Sequence, residues 1–123
     1  MSFFRKKLGR VGERAAARHL KSNGYRILAR NFACPVGELD LVCYHDGAIV
    51  FVEVKTRQHD TSTDPEENIT RAKRRKLELT ARAWLASHRE PDCAYRFDAV
   101  SVIVPADGET RVRHIVDAFE PMR

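Results

Sequence analysis

The sequence predicts an α/β domain, a three-layer sandwich around a mixed central sheet with element order αβββαββ. Three observations predict it. An N-terminal segment of helical periodicity ends at Asn23-Gly24, and two β-rich segments flank Asp46-Gly47 with apolar residues on both of their faces. A second helical segment then separates them from two further strands. Strands that are apolar on both sides need cover on both sides, and helices interleaved in the chain supply it. At 123 residues, with no repeat or linker, residues 1–123 make one domain.

Phe3 to about Asn23 reads as helix, with Leu8, Val11, Ala15, Ala16 and Leu20 at helical spacing. Glu13 is an acid on this apolar side, three and seven residues before Ala16 and Leu20. Tyr25 to Ala29 reads as a short strand and Asn31 to Val36, which contains Pro35, as a loop. Glu38 to Tyr44 and Ala48 to Thr56 read as a hairpin turned at Asp46-Gly47. Asp64-Pro65-Glu66-Glu67 offers a cap, a first-position proline and first-turn acids, which predicts a helix from there to about Ser87. Its inner face would be Ala72, Leu77, Ala81 and Trp84. Two last strands, about Ala94 to Val104 and Arg111 to Phe119, would be joined through an Asp107-Gly108 turn.

Composition narrows the function classes. The chain is 43% hydrophobic and 32% charged, and no apolar run approaches the roughly 18 residues of a membrane span. Its N-terminus places Phe3-Phe4 before the charges Arg5-Lys6-Lys7, the reverse of a secretory signal. Cys34, Cys43 and Cys93 are odd in number and form no C-x-x-C pair, so a reducing, cytoplasmic setting is expected. A net charge of +5 favours polyanionic partners, and its distribution is in blocks. Arg5, Lys6, Lys7, Arg10, Arg14, Arg18 and Lys21 crowd the first helix, Arg71 to Lys76 form a second basic run, and the stretch between is acidic. Basic flanks around an acidic centre suit phosphate binding beside a metal. The run Arg71 to Lys76 is equally compatible with a solvated helix face. None of the five histidines stands in H-E-x-x-H spacing, which leaves them packing or surface roles.

A tight turn at Asp46-Gly47 fixes the antiparallel register so that paired residue numbers add to the same total. Asp40 then faces Glu53, and Glu38 faces Lys55, with opposite Cβ atoms about 5 Å apart, and the strand period of two puts Glu53 and Lys55 on one face, so that four charged side chains converge. Two carboxylates at that distance repel by roughly 3 kcal/mol at an effective dielectric of about 20, more than a cross-strand pair contributes. Protonation of one acid, pairing with Lys55 or a bound cation would each offset this, only the last two with both acids ionised, and oxygen donors favour Mg²⁺ or Mn²⁺ over zinc. Spacing alone fits a structural acid-lysine network just as well. The apolar run Ile49 to Val52, continued by Val54, favours the chemical reading, because charges in such a strand are costly unless paired or used.

Gly37-Glu38-Leu39-Asp40-Leu41-Val42, followed by Phe51-Val52-Glu53-Val54-Lys55-Thr56-Arg57, closely resembles the YraN-like family of bacterial proteins. The resemblance extends to Gly9-Arg10-Val11-Gly12-Glu13, Asn31 and Arg96-Phe97-Asp98, nearly the whole chain. That family is similar to the PD-(D/E)xK nuclease superfamily and to archaeal Holliday-junction resolvases. The resemblance implies a restriction-endonuclease-like fold and a metal-dependent endonuclease that hydrolyses phosphodiester bonds, selective for branched DNA. It implies that Asp40 and Glu53 bind Mg²⁺ (or Mn²⁺), that Glu13 completes the site from the first helix, and that Lys55 orients or helps deprotonate the attacking water. Nucleic-acid contacts are expected at Arg10, Arg14, Arg57, Lys73 and Arg74, with DNA favoured over RNA and no membrane partner. Similarity to resolvases implies a homodimer, although no apolar stripe in the sequence demands one. The chain departs from the superfamily pattern at Leu39, where a proline is usual before the aspartate, and Gln58 to Thr63 lacks the family's Phe-Gly. Two other classes stay open: a nucleic-acid-binding protein that keeps the fold without cleavage, and a scaffold acting through protein partners. Asp98 is read as a structural hydrogen-bonding residue outside the catalytic set.

Overall fold

The computed structural model describes residues 3–59, 69–88 and 93–121. Its elements are α1 (Phe3–Ser22), β1 (Arg26–Cys34), β2 (Gly37–His45), β3 (Ala48–Arg57), α2 (Arg71–Ser87), β4 (Tyr95–Ile103) and β5 (Arg111–Phe119), the αβββαββ order expected. The strands form one sheet in the order β1-β2-β3-β4-β5. β1, β2 and β3 are an antiparallel meander, β4 joins β3 in parallel, and β5 closes the far edge antiparallel to β4. Helix α1 packs Ala16, Ala17 and Leu20 on Leu41, Cys43, Val50, Val52, Val100 and Val102. Helix α2 packs Leu77, Ala81, Trp84 and Leu85 on the other face, against Leu39, Val42, Ile49, Phe51 and Phe97. No described helix is long and apolar enough to cross a membrane.

Local chemistry explains the boundaries. Gly24 takes φ 88° after α1, and Gly24 and Tyr25 donate their N–H groups to the carbonyls of Lys21 and Leu20. Asp46 and Gly47 both have positive φ, 48° and 80°, as a two-residue hairpin turn requires. The register from His45↔Ala48 to Leu41↔Val52 is the one that turn dictates.

Several expectations need correction. Strand β1 continues to Cys34, so Asn31 to Cys34 is strand and only Pro35 and Val36 join it to β2. A register shift between Ile27 and Ala29, and Asn31 at φ 52°, interrupt the alternation by which a strand is recognised in sequence. Helix α2 begins at Arg71, because Thr70 is extended (φ −65°, ψ 163°) and its hydroxyl accepts the Lys73 N–H at 3.2 Å. The Asp64-Pro65 start lies outside the described residues. Ala72 is exposed, and Leu85 takes its place on the inner face. Asp107-Gly108 sits within a longer connection between Ile103 and Arg111, with Gly108 at φ 104°.

Where β4 meets β5 the register shifts between Phe97 and Ala99, and Asp117, at φ 52°, turns its N–H out of the ladder. Asp98, fully buried, accepts that N–H at 3.1 Å. It also accepts Arg96 Nε at 3.0 Å and bonds His114 Nε2 at 2.7 Å, while Arg96 donates onward to the Tyr25 hydroxyl at 2.6 Å. Without this carboxylate the bulge would leave a part-buried backbone donor without its partner.

Candidate active site

Past Leu41↔Val52 the β2–β3 ladder stops. The expected pairs Asp40↔Glu53 and Glu38↔Lys55 are therefore not ladder partners, and at Glu38 strand β2 is paired on its β1 edge alone, with Ala33. The physical reason lies in the Asp40 side chain. Its Oδ2 accepts the Val54 N–H at 2.8 Å, so a carboxylate does the work of the missing backbone acceptor and the two strands fork around it.

Two clefts open on either side of the fork, and Asp40 lines both. The α1-side cleft, about 570 Å³, is walled by Arg5, Leu8, Gly9 and Glu13 of α1 and by Val54, Lys55 and Thr56 of β3. The α2-side cleft, about 350 Å³, is walled by Gly37, Glu38 and Glu53 of the strands and by Lys73, Lys76, Leu77 and Thr80 of α2. The expected convergence of four charges on one face is therefore corrected: Lys55 lines the α1-side cleft and Glu53 and Glu38 the α2-side cleft, with Asp40 lining both. Both helices come close to the sheet here through a glycine. A Cβ on Gly12 would stand 1.8 Å from the Thr56 hydroxyl oxygen, and one on Gly37 would stand 2.8 Å from that of Thr80. The contact at Gly12 sets the next residue, Glu13, at the rim of the cleft.

The electrostatics follow from this placement. Burial, then the charge of Glu53, push the Asp40 carboxyl up to about 7 against the stabilising Val54 hydrogen bond; Glu13 adds to the rise. Glu13 is also raised, by burial first and by Glu53 and Glu38, while the Asn31 amide and Arg30 oppose the shift. With its amide nitrogen turned toward Glu13, Asn31 donates to the two oxygens at 2.9 and 3.2 Å. Glu53 is held from α2, where Lys73 Nζ sits 2.9 Å from its Oε1.

Among the described residues, no group of three or more His, Cys, Asp or Glu side chains is gathered as a metal cage. Asp40 and Glu53 are nevertheless an oxygen-donor pair in contact, with one charge destabilised by the other. That is the donor chemistry of a Mg²⁺ or Mn²⁺ site, where one or two carboxylates suffice and waters or phosphate oxygens complete the shell. Glu13 is coupled to the pair through charge and sits across the α1-side cleft.

The other expected contacts are placed as follows. Arg10 and Arg14 are exposed on α1, and Arg57 is half-buried at the end of β3. Lys73 is drawn to Glu53, and the Arg74 guanidinium lies over the Phe119 ring at 5.2 Å.

Residues 12–102 match the family model described as Uncharacterised protein family UPF0102, a span that includes Glu13, Asp40, Glu53, Lys55 and Lys73. The chain belongs to this family. A UPF0102 protein of Syntrophomonas wolfei is 45% identical over 114 residues, covering 93% of this chain and 98% of that one. One from Geobacter metallireducens is 40% identical over 120 residues, covering 98% of each. One from Symbiobacterium thermophilum is 44% identical over 116 residues, covering 93% of this chain and 97% of the relative. In this UPF0102 chain the sequence reading missed Asn31 as the partner of Glu13 and Lys73 as the partner of Glu53. Asn31 carried a signal as part of the family resemblance, without a role. Lys73 carried only its charge, since nothing local in the chain announces a bond to a residue twenty positions earlier.

Proposed function

We propose that this protein is a metal-dependent endonuclease of the restriction-endonuclease-like, PD-(D/E)xK kind that hydrolyses phosphodiester bonds in DNA. The observation that carries the reading is the fork. Asp40, itself tied to the β3 backbone, stands between Glu53 and Glu13, with Lys55 in the cleft it shares with Glu13. Basic residues wall both clefts, so a polyanion would be drawn to acids it would otherwise avoid.

Asp40 and Glu53 would hold the divalent cation, which when bound would supply Lewis-acid stabilisation of charge on a phosphoryl oxygen. The chain's own groups do the rest. Lys55, exposed and on a long stem, lines the cleft, where its ammonium would orient the attacking water and favour its deprotonation by stabilising the negative charge that develops. Glu13, steadied by Asn31, holds the water from the opposite wall. Arg5 faces the same cleft and suits a phosphate oxygen. The resemblance to junction resolvases extends the reading to branched substrates.

The test is cleavage of a labelled panel of branched, single-stranded and duplex DNA and RNA in Mn²⁺, with Glu53→Gln and Lys55→Met proteins alongside. Native cleavage should fall by on the order of a hundredfold or more in each variant. Binding without cleavage by the native protein would favour a nucleic-acid-binding module, and cleavage surviving in Glu53→Gln would reject the site.

A further inference from the structure

We propose that the α2-side cleft is a second phosphate subsite, in which Lys73 exchanges Glu53 for a backbone phosphate and Lys76 holds the same strand. The inference rests on the nuclease reading above and adds the path of the substrate. Asp40 lines both clefts, so the two adjoin at the fork. A strand crossing it meets Arg5 and Lys55 on one side and Lys73 and Lys76 on the other.

Lys73 is suited to the exchange. Its side chain is 44% exposed while that of Glu53 is 18% exposed, so their 2.9 Å pair lies at a wetted rim where an ion pair is weak and screened. A tether there is not needed to seat α2, which Leu77, Ala81, Trp84 and Leu85 already anchor. The same cleft presents Glu38, Asp40 and Glu53, an acid excess that repels phosphate until Glu53 is neutralised by another cation. When that happens, Lys73 loses its partner next to a strand that needs one. Lys76 is exposed one turn further along α2 and faces the same space.

The experiment measures binding of a labelled DNA duplex and of its single strand by anisotropy across a salt series in EDTA, where no cleavage intervenes. In the Glu53→Gln background, where Lys73 has no acid to hold it, Lys73→Ala with Lys76→Ala should weaken binding and lower the salt slope by roughly 2, whereas Lys21→Ala at the far end of α1 should lower it by less than roughly 1. Glu53→Gln should tighten binding several-fold, because it frees Lys73, and most of that gain should vanish when Lys73 is also Ala. Thermal melts check that each variant is folded. A salt slope unchanged by the two lysine substitutions in the Glu53→Gln background, or an equal Glu53→Gln gain with and without Lys73, overturns the subsite and leaves the nuclease reading standing. Failure of both the native and the Glu53→Gln protein to bind either probe overturns both.

Discussion

Asp40 and Asp98 each give a carboxylate oxygen to a backbone N–H that the sheet leaves unpaired, at 2.8 and 3.1 Å. Their surroundings then part company. Burial works to raise Asp98, but His114, Arg96 and the Asp117 N–H outweigh it and bring its carboxyl below the ordinary range. Asp40 is half-buried beside Glu53 and Glu13 and goes the other way. A depressed acid stabilises the fold above its unfolded pKa and loses that contribution as pH falls through the lower value. Asp98→Ala should cost on the order of 3 to 5 kcal/mol near neutral pH, measured by urea denaturation, because it strands buried partners. A raised acid binds its proton more tightly when folded, so stability falls as pH climbs from about 4 to about 7, and the full penalty persists above that. In metal-free protein Asp40→Asn should therefore flatten the pH dependence of Tm across that window, gaining on the order of 2 kcal/mol at pH 8. An unchanged profile would show that Asp40 is ionised at little cost.

Among the elements, helix α1 and strand β3 meet at Gly12 and Thr56 with no room for a methyl group between them. Gly12→Ala should lower stability by about 1 to 3 kcal/mol, the usual range for overpacking, and displace Glu13 from the cleft. Thr56→Ala should recover part of the stability, since Thr56 Cβ itself would still lie 2.7 Å from the new methyl. Differential scanning calorimetry of the two single variants and the double reads this directly. The β2–β3 hairpin was legible in sequence because its register depends on a two-residue turn and on alternation, both local. The fork was not, because it depends on one side chain competing with the ladder. The Arg71 start of α2 was missed for a similar reason: Asp64-Pro65 resembles a helix opening more closely than Thr70 does, and the extended backbone at Thr70 is set by where α2 must dock. β1 was shortened in the reading because bulged strands lose the period of two.

At the scale of the molecule, both helices present their N-terminal halves to the same end of the sheet, where Arg5, Lys73 and Lys76 surround the acids. The layers and element order were readable because apolar strands on both faces admit few arrangements. Which side of the fork each charge occupies was not, since that depends on contacts between segments far apart in the chain. The parallel β3–β4 pair also orders events in time. The meander β1–β2–β3 closes through short turns at Pro35-Val36 and Asp46-Gly47, whereas β4 reaches β3 only after the chain has passed through α2. Loop-closure entropy then makes the meander the early structure in refolding and the β4 docking the late one. Asp40 and Glu53 would be brought together in the first phase and Lys73 would arrive in the second, so a newly made chain carries its acids as neighbours before it has the lysine that pairs with one of them.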